Sequence, residues 1–212
     1  MSAGFISALK AAGKVVFSLE DTKKLTGKNQ TGAVSFINDL VKRAIVARLN
    51  AGVYLLLETA QEAAQLSNWP LIAKALAGDS NYYISHYAAM RIHGMTTHAL
   101  LEIKITLKKR RRAKEVHHIR YQFIYSKPEN FWGFESRWVS KQNRVNVSDL
   151  ERTILDGLNR PEYCGGITEV IRGIWLTQNE VDWEKLASYA KRFPTKAAVK
   201  RLGYALESLG LG

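Results

Sequence analysis

Apolar positions recur along residues 1–60 with two different periods, and the switch between them marks out the elements. Phe5, Ile6, Leu9 and Ala12 fall at helical spacing and predict a short first helix closed at Gly13. Val15, Val16 and Phe17 read as a brief extended segment. Ser18 then opens SLED, a capping box in which the Ser18 hydroxyl and the Asp21 carboxylate satisfy free amides of a second helix that ends before Gly27. A third helix over 29–43 sets Ala33, Val34, Ile37, Leu40 and Val41 on one side, and Thr31, Ser35, Asn38 and Lys42 on the other. After Arg43 the period drops to two. AIVARL and VYLLL flank Asn50-Ala51-Gly52 and predict a β-hairpin. Helix, strand, helix, helix, hairpin is the order of a winged helix-turn-helix, so residues 1–60 are expected to form one.

A polar, Ala-rich stretch from Glu58 to Asn68 leads into a second region, residues 69–212, with a different organisation. Trp69 to Ala77 reads as helical. Tyr82, Tyr83 and Ile84 are extended, and Ser85 is expected to cap a helix running to His93 before Gly94. Leu101, Ile103, Ile105 and Leu107 alternate with polar residues, as do Ile119, Tyr121 and Phe123, which predicts two half-buried strands. FWGFESRWV and RVNV predict a further hairpin. Ser148-Asp149-Leu150-Glu151 reads as a second capping box, Asp182 as another cap, and Thr195 as the start of a last helix ending near Gly210. The expected fold class is α+β: an N-terminal winged helix-turn-helix, then a mixed sheet buttressed by a C-terminal helical group.

Charge gives this picture a direction. The formal net charge is +12. Between residues 101 and 127 nine Lys and Arg face two acids, and over residues 1–60 eight face four. A basic excess gathered in two places suggests contact with a polyanion. Its densest part is Lys108, Lys109, Arg110, Arg111, Arg112 and Lys114, expected at the tip of a hairpin joining the two strands, where it would touch phosphate without reading sequence. The third helix suits base reading, because Asn and Gln can bridge adenine and Lys can reach guanine or phosphate. Lys28, Asn29, Gln30, Thr31, Ser35, Asn38, Lys42, Arg43, Arg48 and Asn50 are therefore the candidate DNA-binding residues. Thr31, Ser35, Asn38 and Lys42 would enter the major groove of an operator in double-stranded DNA, an inverted repeat, while Lys28, Lys42, Arg43 and Arg48 clamp phosphates.

Other chemistry is sparse. No apolar run reaches the roughly 18 residues that span a bilayer, and the N-terminus lacks the basic opening of a signal peptide. The single cysteine, Cys164, has no internal partner, which fits a reducing cytosol. His86 and His93 share a helix face, and His98, His117, His118 and Cys164 could extend a ligand set. No zinc-type spacing joins them, so no metal or cofactor is expected. A nucleotidyltransferase would need paired carboxylates on strands after a phosphate loop. Gly78-Asp79-Ser80 is followed by no such pair and Glu102 stands alone, so no enzyme is expected. The Asp149, Glu151, Arg152 and Asp156 cluster could grip a ligand or pair within its helix. Trp132, beside Gly133, is expected to project, where it could stack on single-stranded bases.

The stretch VSDLERTILDGLNRPEYCGGITEV, followed by YAKR and KRLGYALESLG, resembles the C-terminal domain of AbiEi-type antitoxins. YYISHYAAMRIHGM, FWGFE and the RLNAGVYLL hairpin are similar to other blocks of that family. The resemblance implies a cytoplasmic antitoxin that represses its own operon. It also implies a functional link to a nucleotidyltransferase-like toxin in a type IV system, one without a stable complex between the two. The other classes this sequence admits are a nucleotidyltransferase-like enzyme and an RNA- or protein-interaction module.

Overall fold

The computed structural model describes residues 2–57, 68–78, 80–116, 119–140 and 143–211. The Glu58–Asn68 stretch (apart from its last residue), Asp79, His117 and His118 lie outside them. The chain divides into two compact units, one of residues 1–79 with 138–143, the other of residues 80–137 with 144–212.

The first unit begins with α1 (Ser2–Ala11), β1 (Val16–Ser18), α2 (Leu19–Thr26) and α3 (Gln30–Lys42). The capping box at Ser18 is formed as the sequence predicts, with Asp21 N–H donating to Ser18 Oγ and Ser18 N–H to Asp21 Oδ2. Gly27 closes α2 at φ 67°, a left-handed conformation that glycine adopts without a Cβ penalty. β2 (Val46–Asn50) and β3 (Val53–Leu56) follow as an antiparallel pair, and β1 joins them in the order β1-β3-β2. Phe5, Leu9, Phe17, Ile37, Leu40, Val46, Tyr54 and Leu56 close the core. Phe5 sits edge-on to both Phe17 and Phe36. Two members of the expected apolar stripe on α3 are not in that core: Val34 and Val41 are each 37% exposed. Phe36, half-buried, packs against that core instead through its edge-on contact with Phe5.

α4 (Trp69–Ala77) belongs to this first unit rather than to the region that follows. Its Ile72, Ala73 and Leu76 are buried, it packs on β1 and β2, and Asn50 Nδ2 donates to the Ala75 carbonyl at 2.7 Å. A helix predicted from periodicity carries no statement of which neighbour covers its apolar face.

The second unit is built on a six-stranded mixed sheet, of which residues 138–140 of β8 and Asn143 of β9 belong to the first unit. Its strands are β4 (Tyr82–Ser85), β5 (Glu102–Leu107), β6 (Lys114–Val116), β7 (Ile119–Tyr125), β8 (Phe134–Ser140) and β9 (Asn143–Ser148), in the order β6-β7-β5-β4-β9-β8. β8 and β9 are neighbours, as the expected hairpin requires. The basic run is another matter. β5 and β7 are parallel, with Glu102 opposite Arg120 and Leu107 opposite Tyr125. Parallel strands cannot be joined by a tight hairpin. Residues 108–113 are therefore a crossover from the end of β5 to edge strand β6, which then pairs antiparallel with β7. β7 is half-buried as expected, with Ile119 and Tyr121 buried and Arg120 exposed, but β5 is not. Ile103, Ile105 and Leu107 fill one face of β5, while Lys104 and Thr106 on the other face are also buried.

Five helices complete the unit: α5 (His86–Ile92), α6 (Leu150–Asn159), α7 (Ile167–Thr177), α8 (Trp183–Arg192) and α9 (Lys196–Leu209). Every residue of α6 from Leu150 to Leu158 is buried, so it is the central helix. Its cap lies one residue beyond the expected Ser148: Asp149 accepts from Arg152 N–H, while Ser148 Oγ bonds to Thr153. Glu151 does not complete a box; it accepts from Asp182 N–H instead. On α7, a Cβ at Gly173 would stand 2.9 Å from Met95 Cβ and 3.1 Å from the Met95 carbonyl oxygen. Gly173→Ala should accordingly cost about 1–3 kcal/mol by overpacking, seen as a lower urea midpoint. An unchanged midpoint would show that α7 slides freely past Met95. No described helix is long and apolar enough to cross a membrane.

Candidate functional site

Two surfaces carry the candidate residues, one in each unit. In the first, α3 presents Thr31, Ser35, Asn38 and Lys42 to solvent along one stripe, with Gln30 exposed at its start. The opposite side is anchored by Ala33, Ile37 and Leu40, all fully buried, so the stripe is held at a fixed rotation. The remaining first-unit candidates divide. Asn29 is the N-cap of α3, its Oδ1 accepting from Gly32 N–H at 2.9 Å. Arg43 pairs with Asp39 one turn earlier, both largely exposed. Arg48 is exposed on β2, with Nε donating to the Asn50 carbonyl. Asn50 is tied to α4 through Ala75 and Leu76. Lys28 is half-buried before α3. The contiguous free surface is therefore the α3 stripe; Asn29 and Asn50 serve the fold.

In the second unit, the crossover lies over aromatic rings. Lys108 sits 4.8 Å from the Phe131 ring centroid, Arg110 5.3 Å from Tyr125 and Arg111 5.9 Å from Phe123. Arg111 also donates to Ser80 Oγ at 2.8 Å. Lys109, Arg112 and Lys114 are exposed. Cation–π contacts of this kind contribute roughly 0.5–1 kcal/mol at exposed sites. They hold part of the run against the sheet rather than leaving it as a free tip.

Beside the crossover opens a cleft of about 460 Å³. Arg110, Lys127 and Arg160 line it from three separate segments, and Arg152 and Asp156 line it from α6. Arg152 Nε bonds Asp156 Oδ1 at 2.9 Å, and Nη1 donates to the Trp132 carbonyl at 3.2 Å. Of the two readings of this charged cluster, pairing within the helix is the arrangement found. Burial works against the Arg152 charge, but the charge and hydrogen bond of Asp156, with Tyr83 and Asp149, together hold the guanidinium above its ordinary range. Trp132 does not project. It packs edge-on to Tyr189 and Phe193, with Arg192 3.6 Å and Arg152 4.3 Å from its ring centroid. Lys185 bridges Glu151 and Asp149 at the other end of the helix. Burial penalises that ammonium too, yet the Glu151 bond and the Asp149 charge raise it well above the usual lysine range.

Tyr83 and Thr106 line the sheet side of the cleft, within a polar layer of the sheet. Tyr83 lies opposite Thr106 and Ser85 opposite Lys104. Thr106 Oγ1 donates to Ser85 Oγ, which lies 2.9 Å from His86 Nδ1 and can donate to it. His86 takes φ 56°, an uncommon conformation for a residue with a Cβ, and it lines the cleft. Its pKa is pushed down to about 4, mainly by burial, with Lys104, Arg152 and Arg160 adding to the effect and Asp156 opposing it. The imidazole is thus neutral at ordinary pH. Lys104 is buried against Glu102 at 2.7 Å and over the Tyr163 ring.

The histidines weighed as ligands have other partners. His93 bonds the Ser148 carbonyl through Nε2 at 2.7 Å and accepts from Arg137 at Nδ1, which fixes its neutral tautomer. His98 is exposed beside Glu169. Cys164 is fully buried in the helical core, and burial pushes its thiol up, away from reactivity. Glu102 lies against Lys104 and Arg120. Among the described residues no three His, Cys, Asp or Glu side chains converge as metal ligands. Sequence reasoning missed the cleft itself. Arg110 was visible only as part of a run, and nothing in the spacing linked it to Lys127 or Arg160.

No family model matches the chain, and no curated protein matches it. Among solved structures, it is similar to the RV2827C protein from Mycobacterium tuberculosis, at 16% identity and a TM-score of 0.65, over 99% of this chain and 77% of that one. At that identity the likeness is one of fold.

Proposed function

We propose that the protein is a sequence-specific DNA-binding repressor that reads an operator with α3. One observation carries this reading: Thr31, Ser35, Asn38 and Lys42 form an exposed stripe on a helix whose other side is locked in a core. Short polar donors and a lysine on a rigid helix suit the edges of bases in the major groove. The order α1-β1-α2-α3-β2-β3 is that of a winged helix-turn-helix, in which the second helix of the pair enters the groove, and this supports the assignment. Arg43, at the end of α3, and Arg48, exposed on β2, would contact the phosphates flanking that helix. The resemblance of residues 147–170 to AbiEi-type antitoxins extends the proposal to a cytoplasmic antitoxin acting against a nucleotidyltransferase-like toxin.

The test is fluorescence anisotropy with the gene's own promoter DNA and with random duplex. Asn38→Ala should weaken promoter binding by about 1–3 kcal/mol, roughly 5- to 150-fold, and leave random duplex almost untouched. Equal losses on both duplexes would remove base reading from α3.

A further inference from the structure

We infer that the cleft of the second unit is a binding site for a nucleotide, a ligand carrying phosphate on one side and a flat heteroaromatic ring on the other. The argument starts from charge. Arg110, Lys127, Arg152 and Arg160 line the cleft, and Asp156 is the one acid among its lining residues, four cations to one carboxylate. Asp156 is already matched to Arg152. Arg110, Lys127 and Arg160 are therefore left as an exposed cationic rim, contributed by the crossover, the end of β7 and the end of α6. Three like charges around one opening repel each other, and an anion between them relieves that repulsion. Their nearest acids, Glu129 for Lys127 and Glu162 for Arg160, are themselves largely exposed, at 3.9 and 3.3 Å. Such surface pairs are weak and yield readily to a doubly charged phosphate.

Position supports the same reading. The cleft opens at the carboxyl ends of parallel strands β5 and β7, where ligands of open mixed sheets generally bind. The negative end of α6 would disfavour an anion there, but Arg201 caps it, donating to the Leu158 carbonyl at 2.7 Å. The volume falls within the roughly 300–1,000 Å³ of small-molecule sites. Inorganic phosphate would leave most of it unfilled. Tyr163 and Phe193 bring aromatic rings to the walls, and Asn130 and Asn159 give amides that can pair with the edge of a base. His86, held neutral and in a strained conformation, adds a further polar edge.

Isothermal titration of the full-length protein with AMP, ATP, GTP, CTP and UTP tests this, with adenosine and inorganic phosphate as controls. At least one nucleotide should bind saturably, and each control at least tenfold more weakly. Arg160→Ser and Arg110→Ser should each weaken nucleotide binding at least fivefold without changing the far-ultraviolet circular dichroism, since both side chains lie at the surface. Lys127→Ser is a third rim variant with the same expectation. Asn38→Ala should bind nucleotide as the unaltered protein does, which separates this site from DNA reading. Absence of saturable binding by any nucleotide at millimolar concentration would overturn the proposal. So would equal affinity for inorganic phosphate, or rim variants that all bind normally.

Discussion

Arg152→Ala should lower the free energy of unfolding by about 3–5 kcal/mol, the range for removing one partner of a buried ion pair. The residue is 5% exposed and makes more than one kind of contact. It neutralises Asp156, donates to the Trp132 carbonyl, and lies over the Trp132 and Phe193 rings. Truncation strands the Asp156 carboxylate inside the central helix and removes the packing of Trp132 on one face. Urea unfolding gives the difference directly, and a loss below about 1 kcal/mol would mean that water reaches Asp156. The double variant Arg152→Met with Asp156→Leu supplies the decisive comparison. Much of the lost stability should return, because a well-packed apolar pair carries no desolvation penalty.

Acid sensitivity is the second large effect. A histidine in the unfolded chain titrates near 6.5, whereas His86 in the fold titrates at about 4. Above pH 6.5 neither state holds the proton, and His86 adds no pH dependence. Between 6.5 and 4 the unfolded chain takes up a proton that the folded chain refuses, so stability falls as pH drops, by about 3 kcal/mol in total. His93, also lowered chiefly by burial, pulls in the same direction. His86→Asn keeps a residue that tolerates positive φ and cannot titrate. Its unfolding free energy, measured from pH 7 to 4, should decline less than that of the unaltered protein by about that amount. Parallel curves would show that His86 gains its proton without unfolding. Below this window Glu169, held under the usual carboxylate range by the Thr96 hydroxyl and Arg172, adds a loss of its own.

What the sequence discloses follows the range of the interaction that encodes it. Caps and turns are local, and Ser18–Asp21, Gly27, Asp182 and Gly210 could be read from a few adjacent residues. The Asp149 cap shows the limit even there, since Ser148 is equally suited chemically and only its bond to Thr153 decides between them. Alternation in 101–107 and 119–125 correctly gave strands. It could not give their direction, because side-chain period is the same in parallel and antiparallel pairs. That ambiguity turned a crossover into an imagined hairpin. The polar positions of β5 suggested solvent, yet Lys104 and Thr106 are covered because each finds a partner, and pairing is invisible to a hydrophobicity pattern. On α3 the polar stripe was legible from the wheel, while the wheel did not show that Val34 and Val41 would stay partly exposed and Phe36 would pack on Phe5. The cleft was beyond reach, its rim being drawn from residues 110, 127 and 160.

The discontinuous make-up of the first unit bears on the order of events at the ribosome. Residues 1–79 are joined in that unit by residues 138–143, and Asn143 lines a cavity there with Lys14, Phe17 and Lys74. At a synthesis rate of roughly 5–20 residues per second, the second segment follows the first by several seconds. Through that interval the nascent first unit waits, one piece short, while the strands that will form the larger sheet are still emerging. A stop codon placed anywhere before residue 138 would release a chain whose N-terminal unit was never closed.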